Sequence, residues 1–583
     1  MSDHNYPEKG NMDDPASVTL NDGASLSVNE KEPVGSLETI PTHHDEIRYP
    51  GESHANAVAD EELAKIGTSD PDHPYPTGAK LSLISLALCL AVFLMALDNT
   101  IIATAIPRIT DQFKSQDDIG WYGSAYLLTT AAFQLLFGKF YSFFSIKFVF
   151  LTAIGIFELG SLVCGAAPNS TALIIGRAIA GIGSAGIFSG ALIIVAYSVP
   201  LQKRPTYTGL IGAMYGIASV AGPLLGGVFT DKATWRWCFY INLPIGAIAV
   251  AVIAFFFTPP ERRSVGTLSW KERLGQLDLI GTAFFMPAII CILLALQWGG
   301  STYAWGNARI IALFVLFGVL ISAFIAIQFW KKESATVPPR ILAKRSIWAS
   351  SFFAFCLGSG FFIMIYFLPL WFQAVQGVSA VQSGIRNLPM VLALVLLSIL
   401  SGVGVSVLGY YTPLMIASSV IMAIGFGMIT TFTPDTSKGK WIGYQILAGF
   451  GVGLGMQQPL IAVQTVLDIK DIPTGTSLLM FLQTLGGALF VSVGQNIFTN
   501  KLVSNLAKNV PAIDPMIVVN TGATSIQHTE ALKQYLPAIT LAYNDALTQA
   551  YLVSAAMAAI SIIGSSVMEW KSVKGKKIEM TAA

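Results

Sequence analysis

The chain from Leu81 to Ile106 reads LSLISLALCLAVFLMALDNTIIATAI, an apolar run whose only charged residue is Asp98. A helix that crosses the hydrocarbon core of a bilayer needs about 20 such residues. Further runs of this length follow near 119–139, 148–167, 171–196, 206–230, 238–257, 277–297, 309–330, 347–371, 384–408, 412–433, 441–466, 475–498 and 548–568. The pattern predicts an all-α polytopic membrane protein with 14 spans.

The composition supports this fold class and excludes several functions. Of the 583 residues, 53% are hydrophobic and 12% are charged, whereas a soluble domain carries about 25% charged residues. The apolar runs contain no histidine, and the five cysteines are widely spaced within them, which gives neither a metal-ligand set nor a histidine base. Basic residues form no continuous stripe. We therefore expect no enzymatic activity, no cofactor or metal, and no nucleic-acid partner.

Charge also separates the ends of the chain from its body. Residues 1–79 are rich in Asp, Glu, Ser, Pro and Gly, which predicts a disordered acidic tail. The C-terminus and the loops on the same side as this tail hold 18 Lys and Arg, against 11 in the opposite loops. The positive-inside rule therefore places both termini in the cytoplasm. The sequon at Asn169, a candidate glycosylation site, and a long loop at 499–547 then fall outside.

Three charged residues lie well inside the apolar runs. Asp98, Glu158 and Arg177 fall at similar depths, so that Arg177 could pair with either acid. Charges within spans are costly and usually functional. Because burial raises the pKa of a carboxyl group and a nearby arginine lowers it, an acid that moves between these surroundings takes up and releases a proton. The three residues are candidates for proton coupling, and a static ion pair is the alternative.

The fifth run combines small residues on one helix face with a proline among glycines. Small residues let helix backbones approach closely in a membrane, and proline lets a helix bend. The pattern predicts either a hinge that controls opening or simply tight packing. The residues concerned are Gly212, Gly216, Gly222, Pro223, Gly226 and Gly227.

Five stretches together resemble the drug:proton antiporters with fourteen spans, in the major facilitator superfamily. The similarity covers about residues 81–568 and is strongest to the fungal branch that contains toxin and drug efflux pumps. The stretches are LDNTII at 97–102, RAIAGIG at 177–183, the glycine–proline segment at 216–227, WRWCFYINLP at 235–244 and SGIRNLP at 383–389.

The resemblance implies the major facilitator fold, with two six-helix bundles related by pseudo-twofold symmetry and two inserted helices between them. It divides the chain into a tail (1–79), a first bundle (80–258), cytoplasmic loops with the two inserted spans (259–346), a second bundle that includes the loop 499–547 (347–568), and a cytoplasmic C-terminal tail (569–583). The bundles would rock around a site at the membrane midplane.

The resemblance also implies roles for residues at the cytoplasmic side and in the cavity. Gly138, Lys139 and Lys147 match the family's cytoplasmic gate, although Ser142 stands where the family carries an aspartate. The gate would then depend on the two lysines and on Phe143 and Phe144. Tyr122, Gln134 and Gln483 carry polar side chains that suit an amphipathic organic molecule in the cavity, and packing or hydrogen bonding within the bundle is the alternative role for each.

The function that follows is proton-coupled export of toxins, secondary metabolites or drugs by a monomer in the plasma membrane. Its partners would be the small-molecule substrate, protons and membrane lipid. A vacuolar membrane, or an importer of the same fold for siderophores or basic amino acids, is the alternative, although the glycine–proline motif argues against import. A non-transporting membrane sensor is an alternative from another class.

Overall fold

Fourteen long helices make up most of the part of the chain that the structure describes. The computed structural model describes residues 75–115, 118–259, 276–300, 303–521, 526 and 529–574. Its long helices are α1 (Gly78–Phe113), α2 (Ile119–Phe143), α3 (Ile146–Ala166), α4 (Ser170–Ser198), α5 (Arg204–Lys232), α6 (Trp237–Phe256), α7 (Leu279–Trp298), α8 (Ala308–Lys331), α9 (Arg345–Ala374), α10 (Leu388–Leu408), α11 (Thr412–Ile429), α12 (Lys438–Val466), α13 (Ile472–Asn509) and α14 (Leu536–Val567).

The helices have the length and the surface that a bilayer requires. Thirteen are long and apolar enough to cross a membrane; the remaining one, α2, has 25 residues but carries Lys139 and several hydroxyl-bearing side chains. Large apolar side chains such as Phe148, Phe255 and Phe329 face outward, which suits lipid and not water. The predicted polytopic all-α class is therefore confirmed, and the chain is an integral membrane protein.

The helices assemble as two bundles of six with two extra helices. In the first bundle α3 packs on α4, α1 on α5, and α2 on α4; in the second α9 packs on α13 and α14, and α11 on α12. The bundles meet along α5 and α10 and along α2 and α13. Helices α7 and α8 pack on each other, and α7 also contacts α2 and α13. This is the predicted arrangement of two bundles and two inserted helices.

Three helices run beyond the predicted spans. Helix α13 continues to Asn509 and α14 already begins at Leu536, so most of the predicted loop at 499–547 is helical. The added turns mix polar and a few charged residues with buried apolar ones such as Leu502 and Ile539, and an amphipathic turn of this kind lowers the mean hydropathy without ending the helix. Helix α1 likewise continues to Phe113, about 10 Å beyond the predicted end of its span at 1.5 Å per residue.

The two predicted tails differ in how much of them is described. Residues 1–74 of the N-terminal tail and 575–583 of the C-terminal tail lie outside the described residues. Residues 568–574, which follow α14, pack against the second bundle. Val573 N donates to Gly409 O at 2.8 Å, and Ser346 Oγ donates to Glu569 Oε2 at 2.6 Å. The bond from Ser346 and a second one from Lys571 hold the pKa of Glu569 below its ordinary value.

Close packing of α3 on α4 depends on glycine. A Cβ placed on Gly160 would lie 2.6 Å from Ala180 Cα, whereas one placed on Gly155 of the same helix meets no atom within 4 Å. We expect Gly160→Val to lower the free energy of unfolding by about 1–3 kcal/mol, because neither backbone has room to move. Thermal unfolding of the purified protein measures the loss. Gly155→Val is the matched control, and an equal effect of both substitutions would contradict the packing argument.

Candidate functional site

A buried ion pair joins α1 to α4 inside the first bundle. Arg177 Nη1 contacts Asp98 Oδ2, and neither side chain is exposed. Arg177 Nε donates to Tyr122 O at 2.8 Å, and its guanidinium lies 4.4 Å from the ring centroid of Tyr126. Sequence reasoning left open which acid Arg177 contacts, and the structure pairs it with Asp98. Its Nη2 has no hydrogen-bond partner among the described residues.

Asn242 extends this site to α6 and α3. Its Nδ2 donates to Asp98 Oδ1 at 3.3 Å and to Ser161 Oγ at 3.0 Å, and it is fully buried. Asn242 lies in the stretch 235–244 that was singled out by resemblance, but the sequence assigned it no role. Asn242 could have been identified from the sequence as an amide side chain at the start of a membrane-spanning segment, two residues before Pro244.

Glu158 lies close to the pair but does not join it. It is one turn before Ser161 on α3, and a Cβ placed on Gly246 of α6 would collide with its carboxylate. Both carboxylate oxygens lie away from solvent, without a hydrogen-bond partner among the described residues. Ser161 contacts Asn242, which in turn contacts Asp98. The structure therefore brings the three predicted charged residues into one region, with only two of them bonded.

Helix α5 connects this region to the second bundle. Thr100 Oγ1, two residues after Asp98, donates to Ala218 O of α5 at 3.1 Å, and Asn99 Nδ2 donates to Tyr215 Oη at 3.5 Å.

The predicted glycine face of α5 divides into two parts. A Cβ on Gly222 or Gly226 would collide with Thr100 or Thr104 of α1, whereas one on Gly212 or Gly216 would meet α12 or α10 of the other bundle. Pro223 and Gly227 lie beside the short helix Ala380–Arg386.

The bundles touch at the predicted cytoplasmic end. A Cβ on Gly138 would lie 2.7 Å from Ser477 Cβ of α13, and Ser142 Oγ lies 3.4 Å from Thr474 Oγ1. Lys139 is buried, with its Nζ 5.5 Å from the ring centroid of Phe143. These contacts close the path between α2 and α13. Lys147, the third predicted gate residue, is the second residue of α3.

The inserted helices add a polar network at the same end. Asp278, which precedes α7, is fully buried and accepts hydrogen bonds from Thr336, Gln328 and Gly281 at 2.7–3.1 Å, with Lys331 Nζ 3.2 Å away. Burial alone would raise the pKa of Asp278, but these hydrogen bonds outweigh it and hold the pKa below its ordinary value.

A second interaction ties the segment after α8 to the second bundle. Arg340 donates two hydrogen bonds to Asp471 at 2.6 and 2.8 Å, and a further one to Glu333. Asp471 directly precedes α13, so this interaction holds the segment after α8 against the end of α13 that contacts α2.

A cavity of about 280 Å³ lies between the bundles, lined by α2, α7, α9 and α13. The three predicted substrate residues are not among the described residues that line it. Tyr122 is buried and donates to Ser170 Oγ at 2.8 Å, and Gln134 donates to Ala185 O at 3.0 Å. Gln483 is half-buried on α13, directly before Thr484, which does line the cavity. The first two side chains hold helices together.

Asn169 has a structural role at the start of α4. It is the N-cap residue, and its side-chain oxygen accepts a hydrogen bond from Ala172 N at 2.9 Å. It is also exposed. Glycosylation at this position stays a prediction.

Two bundles of membrane-spanning helices that meet along a cavity form the arrangement expected of a membrane transporter. The family model described as Major Facilitator Superfamily matches residues 88–491. The chain belongs to this superfamily and, as expected from the resemblance, it is an efflux transporter and not an enzyme.

Relatives and solved structures agree with this assignment. The chain is 64% identical to the "MFS-type efflux pump MFS1" of Arthroderma benhamiae, over 87% of this chain and 94% of that protein. It is 55% identical to the "Efflux pump roqT" of Penicillium rubens, over 84% of this chain and 91% of that protein. The crystal structure of the human organic anion transporter MFSD10 shares the fold, with a TM-score of 0.54 and 14% identity over 83% of this chain and 100% of the other.

Asp278 should contribute strongly to the stability of the inserted helices. We expect Asp278→Ala to lower the free energy of unfolding by about 3 kcal/mol, because it leaves buried donors and Lys331 without their acceptor. Since the pKa of Asp278 is lower in the folded protein, this stabilisation is fully present above the unfolded pKa of about 3.9. It is lost as the pH falls through the folded value.

The measurement is thermal unfolding of the purified protein at pH 7 and at decreasing pH. The control is Asp514→Ala, which removes an exposed carboxylate that accepts from Met516 N and should cost about 1 kcal/mol. Equal losses for the two variants at pH 7 would contradict the role assigned to Asp278.

Proposed function

We propose that this protein exports small amphipathic organic molecules in exchange for protons, and that Asp98 carries the coupling proton. The single observation that supports this proposal is the buried contact between Asp98 and Arg177. Protons and the substrate are its partners, and the transporter acts as a monomer. The names of the relatives support export, since both are called efflux pumps.

The ion pair gives Asp98 two states of different energy. When charged, Asp98 is stabilised by Arg177 and Asn242. When protonated it no longer attracts Arg177, whose remaining contacts are Tyr122 O and the ring of Tyr126. A buried arginine that loses its counter-ion is destabilised by several kcal/mol, so protonation favours a different arrangement of α1 and α4.

Helix α5 carries this change to the other bundle. It is hydrogen-bonded to the two residues that follow Asp98, and it packs closely on α10 through Gly209 and Gly216. A shift of α1 therefore moves a helix that lies on the bundle interface. In the cycle that we propose, protonation of Asp98 from outside favours substrate release and return to the inward-facing state. Deprotonation then lets substrate bind from the cytoplasm.

Glu158 is the second proton-carrying group in this proposal. A carboxyl group that is removed from water and has no hydrogen-bond partner is less costly when it carries a proton. Its place next to Ser161, which is bonded to Asn242, sets it beside the coupling site. Glu158 thus supplies a further acid at the depth of Asp98, while Arg177 adjusts the protonation of Asp98.

The remaining parts of the proposal concern the membrane and the gate. We place the protein in the plasma membrane with both termini in the cytoplasm, because export of toxic compounds requires the cell boundary and the positive charge of the loops favours this orientation. Gly138 and Lys139 then form the cytoplasmic gate, and the glycines of α5 form the seam on which the bundles rock. The membrane potential supplies about 2.3 kcal/mol per proton for each 100 mV.

Proteoliposomes with an acidic lumen test the coupling. Wild-type protein should concentrate hydrophobic compounds from a labelled panel while the lumen becomes alkaline, as a lumenal pH dye reports. Asp98→Asn should reduce both signals to the level of protein-free vesicles, because an amide cannot release a proton. Glu158→Gln should lower the number of protons exchanged per substrate molecule.

Asp545→Asn is the matched control, since it makes the same change at an exposed position of α14 and should leave both signals intact. Transport by Asp98→Asn that still follows the pH gradient would contradict the assignment of Asp98. Movement that is independent of the gradient in the wild type would contradict antiport itself.

A further inference from the structure

The cavity is built on three sides by helices of the two bundles and on the fourth by the inserted helix α7. Ser124, Leu127 and Leu128 of α2 form one wall, and residues from Thr484 to Thr499 of α13 form another. Tyr366 of α9 lies between the bundles and is nevertheless 56% exposed, so its ring faces an open volume.

Helix α7 is fixed in place against both bundles. Gln297 Nε2 donates to Ser124 Oγ of α2 at 2.7 Å, and the rings of Trp298 and Trp121 meet edge to face at 6.1 Å. On the other side, the ring of Phe285 lies 5.1 Å from that of Phe481 of α13. Because α2 and α13 belong to different bundles, α7 covers the seam between them and presents Leu293, Leu296 and Gln297 to the cavity.

The lining has a chemical character that limits what it can bind. None of the described residues that line the cavity is Asp, Glu, Lys, Arg or His. Leucine, valine and phenylalanine side chains provide an apolar body, and amide and hydroxyl groups such as those of Gln297, Asn496 and Ser492 provide a polar edge. A charged ligand would lose its water here without gaining a counter-ion, which is costly. A volume of about 280 Å³ is near the lower limit for small-molecule sites.

We propose that α7 forms the selectivity wall of the substrate cavity through Gln297, and that the ligands of this cavity are uncharged molecules with an apolar ring system and a hydrogen-bonding edge. The proposal rests on the export function given above and names the substrate class for it. It also gives the inserted helix pair a direct role in recognition.

A charge placed on the α7 wall tests the proposal at equilibrium, without any proton gradient. Purified protein in lipid nanodiscs is titrated with uncharged fluorescent probes of two or three fused rings, each paired with its trimethylammonium derivative. Wild type should prefer the uncharged member of a pair. Gln297→Glu, which keeps the shape of the side chain, should shift the ratio of the two affinities toward the cation by about tenfold or more.

Asn307→Asp is the matched control. Asn307 is exposed at the start of α8, where its side chain accepts a hydrogen bond from Arg309 N, and aspartate caps a helix equally well. This variant should bind as wild type does. Gln297→Leu is a second variant, which should weaken the uncharged probes without favouring the cations and so separates lost polarity from added charge.

Several outcomes would overturn the proposal. They are wild-type preference for the cations, failure of the wild type to bind any uncharged probe, an unchanged affinity ratio in Gln297→Glu, or an equal shift in Asn307→Asp. Failure of the coupling experiment is distinguishable from these outcomes. If Asp98→Asn still transports with the gradient while Gln297→Glu changes the affinity ratio, the cavity assignment stands and proton coupling through Asp98 does not.

Discussion

Asp98 and Arg177 are both withdrawn from water in the middle of the first bundle, where an isolated charge would be strongly unfavourable. Each can remain there only because the other is present, and because Asn242 and the carbonyl of Tyr122 complete their contacts. This requirement ties α1, α4 and α6 to one another. A proton on Asp98 would remove the charge that Arg177 contacts and so weaken the link between α1 and α4.

Packing elsewhere makes the bundle responsive to that change. Backbone contacts at Gly160 and Gly183 join α3 and α4 so closely that they behave as one body. Helices α5 and α10 also pack closely, but they belong to different bundles. In the proposed cycle, a rearrangement at the ion pair would reach this interface along the closely packed helices.

The fold could be predicted because each span is recognisable in the sequence by its length and hydropathy. The contact partners of a side chain inside the bundle leave no such signal in the sequence. Depth along a helix placed Asp98, Glu158 and Arg177 in one layer, but the rotation of each helix decided that Arg177 faces Asp98. Tyr122 and Gln134 have the chemistry of binding residues, yet amides and hydroxyls inside a bundle equally serve to join helices, as they do here. The ends of α13 and α14 were missed because amphipathic turns lower the hydropathy of a window. The contribution of α7 to the cavity could not be predicted because its sequence is apolar on all sides, so no one face of the helix is marked as facing the cavity.

Helix α13 is a single rod of 38 residues. Thr474, near one end, lies against Ser142 of the other bundle, and Asn496, about 33 Å further along at 1.5 Å per residue, borders the cavity. If α13 turns as a rigid rod about a point between these two residues, pressing the Thr474 end against α2 widens the space beside Asn496, and releasing that end narrows it. The helix would then act as a lever that couples the two mouths of the transporter. Because one mouth closes as the other opens, such a rod would oppose a leak through the membrane.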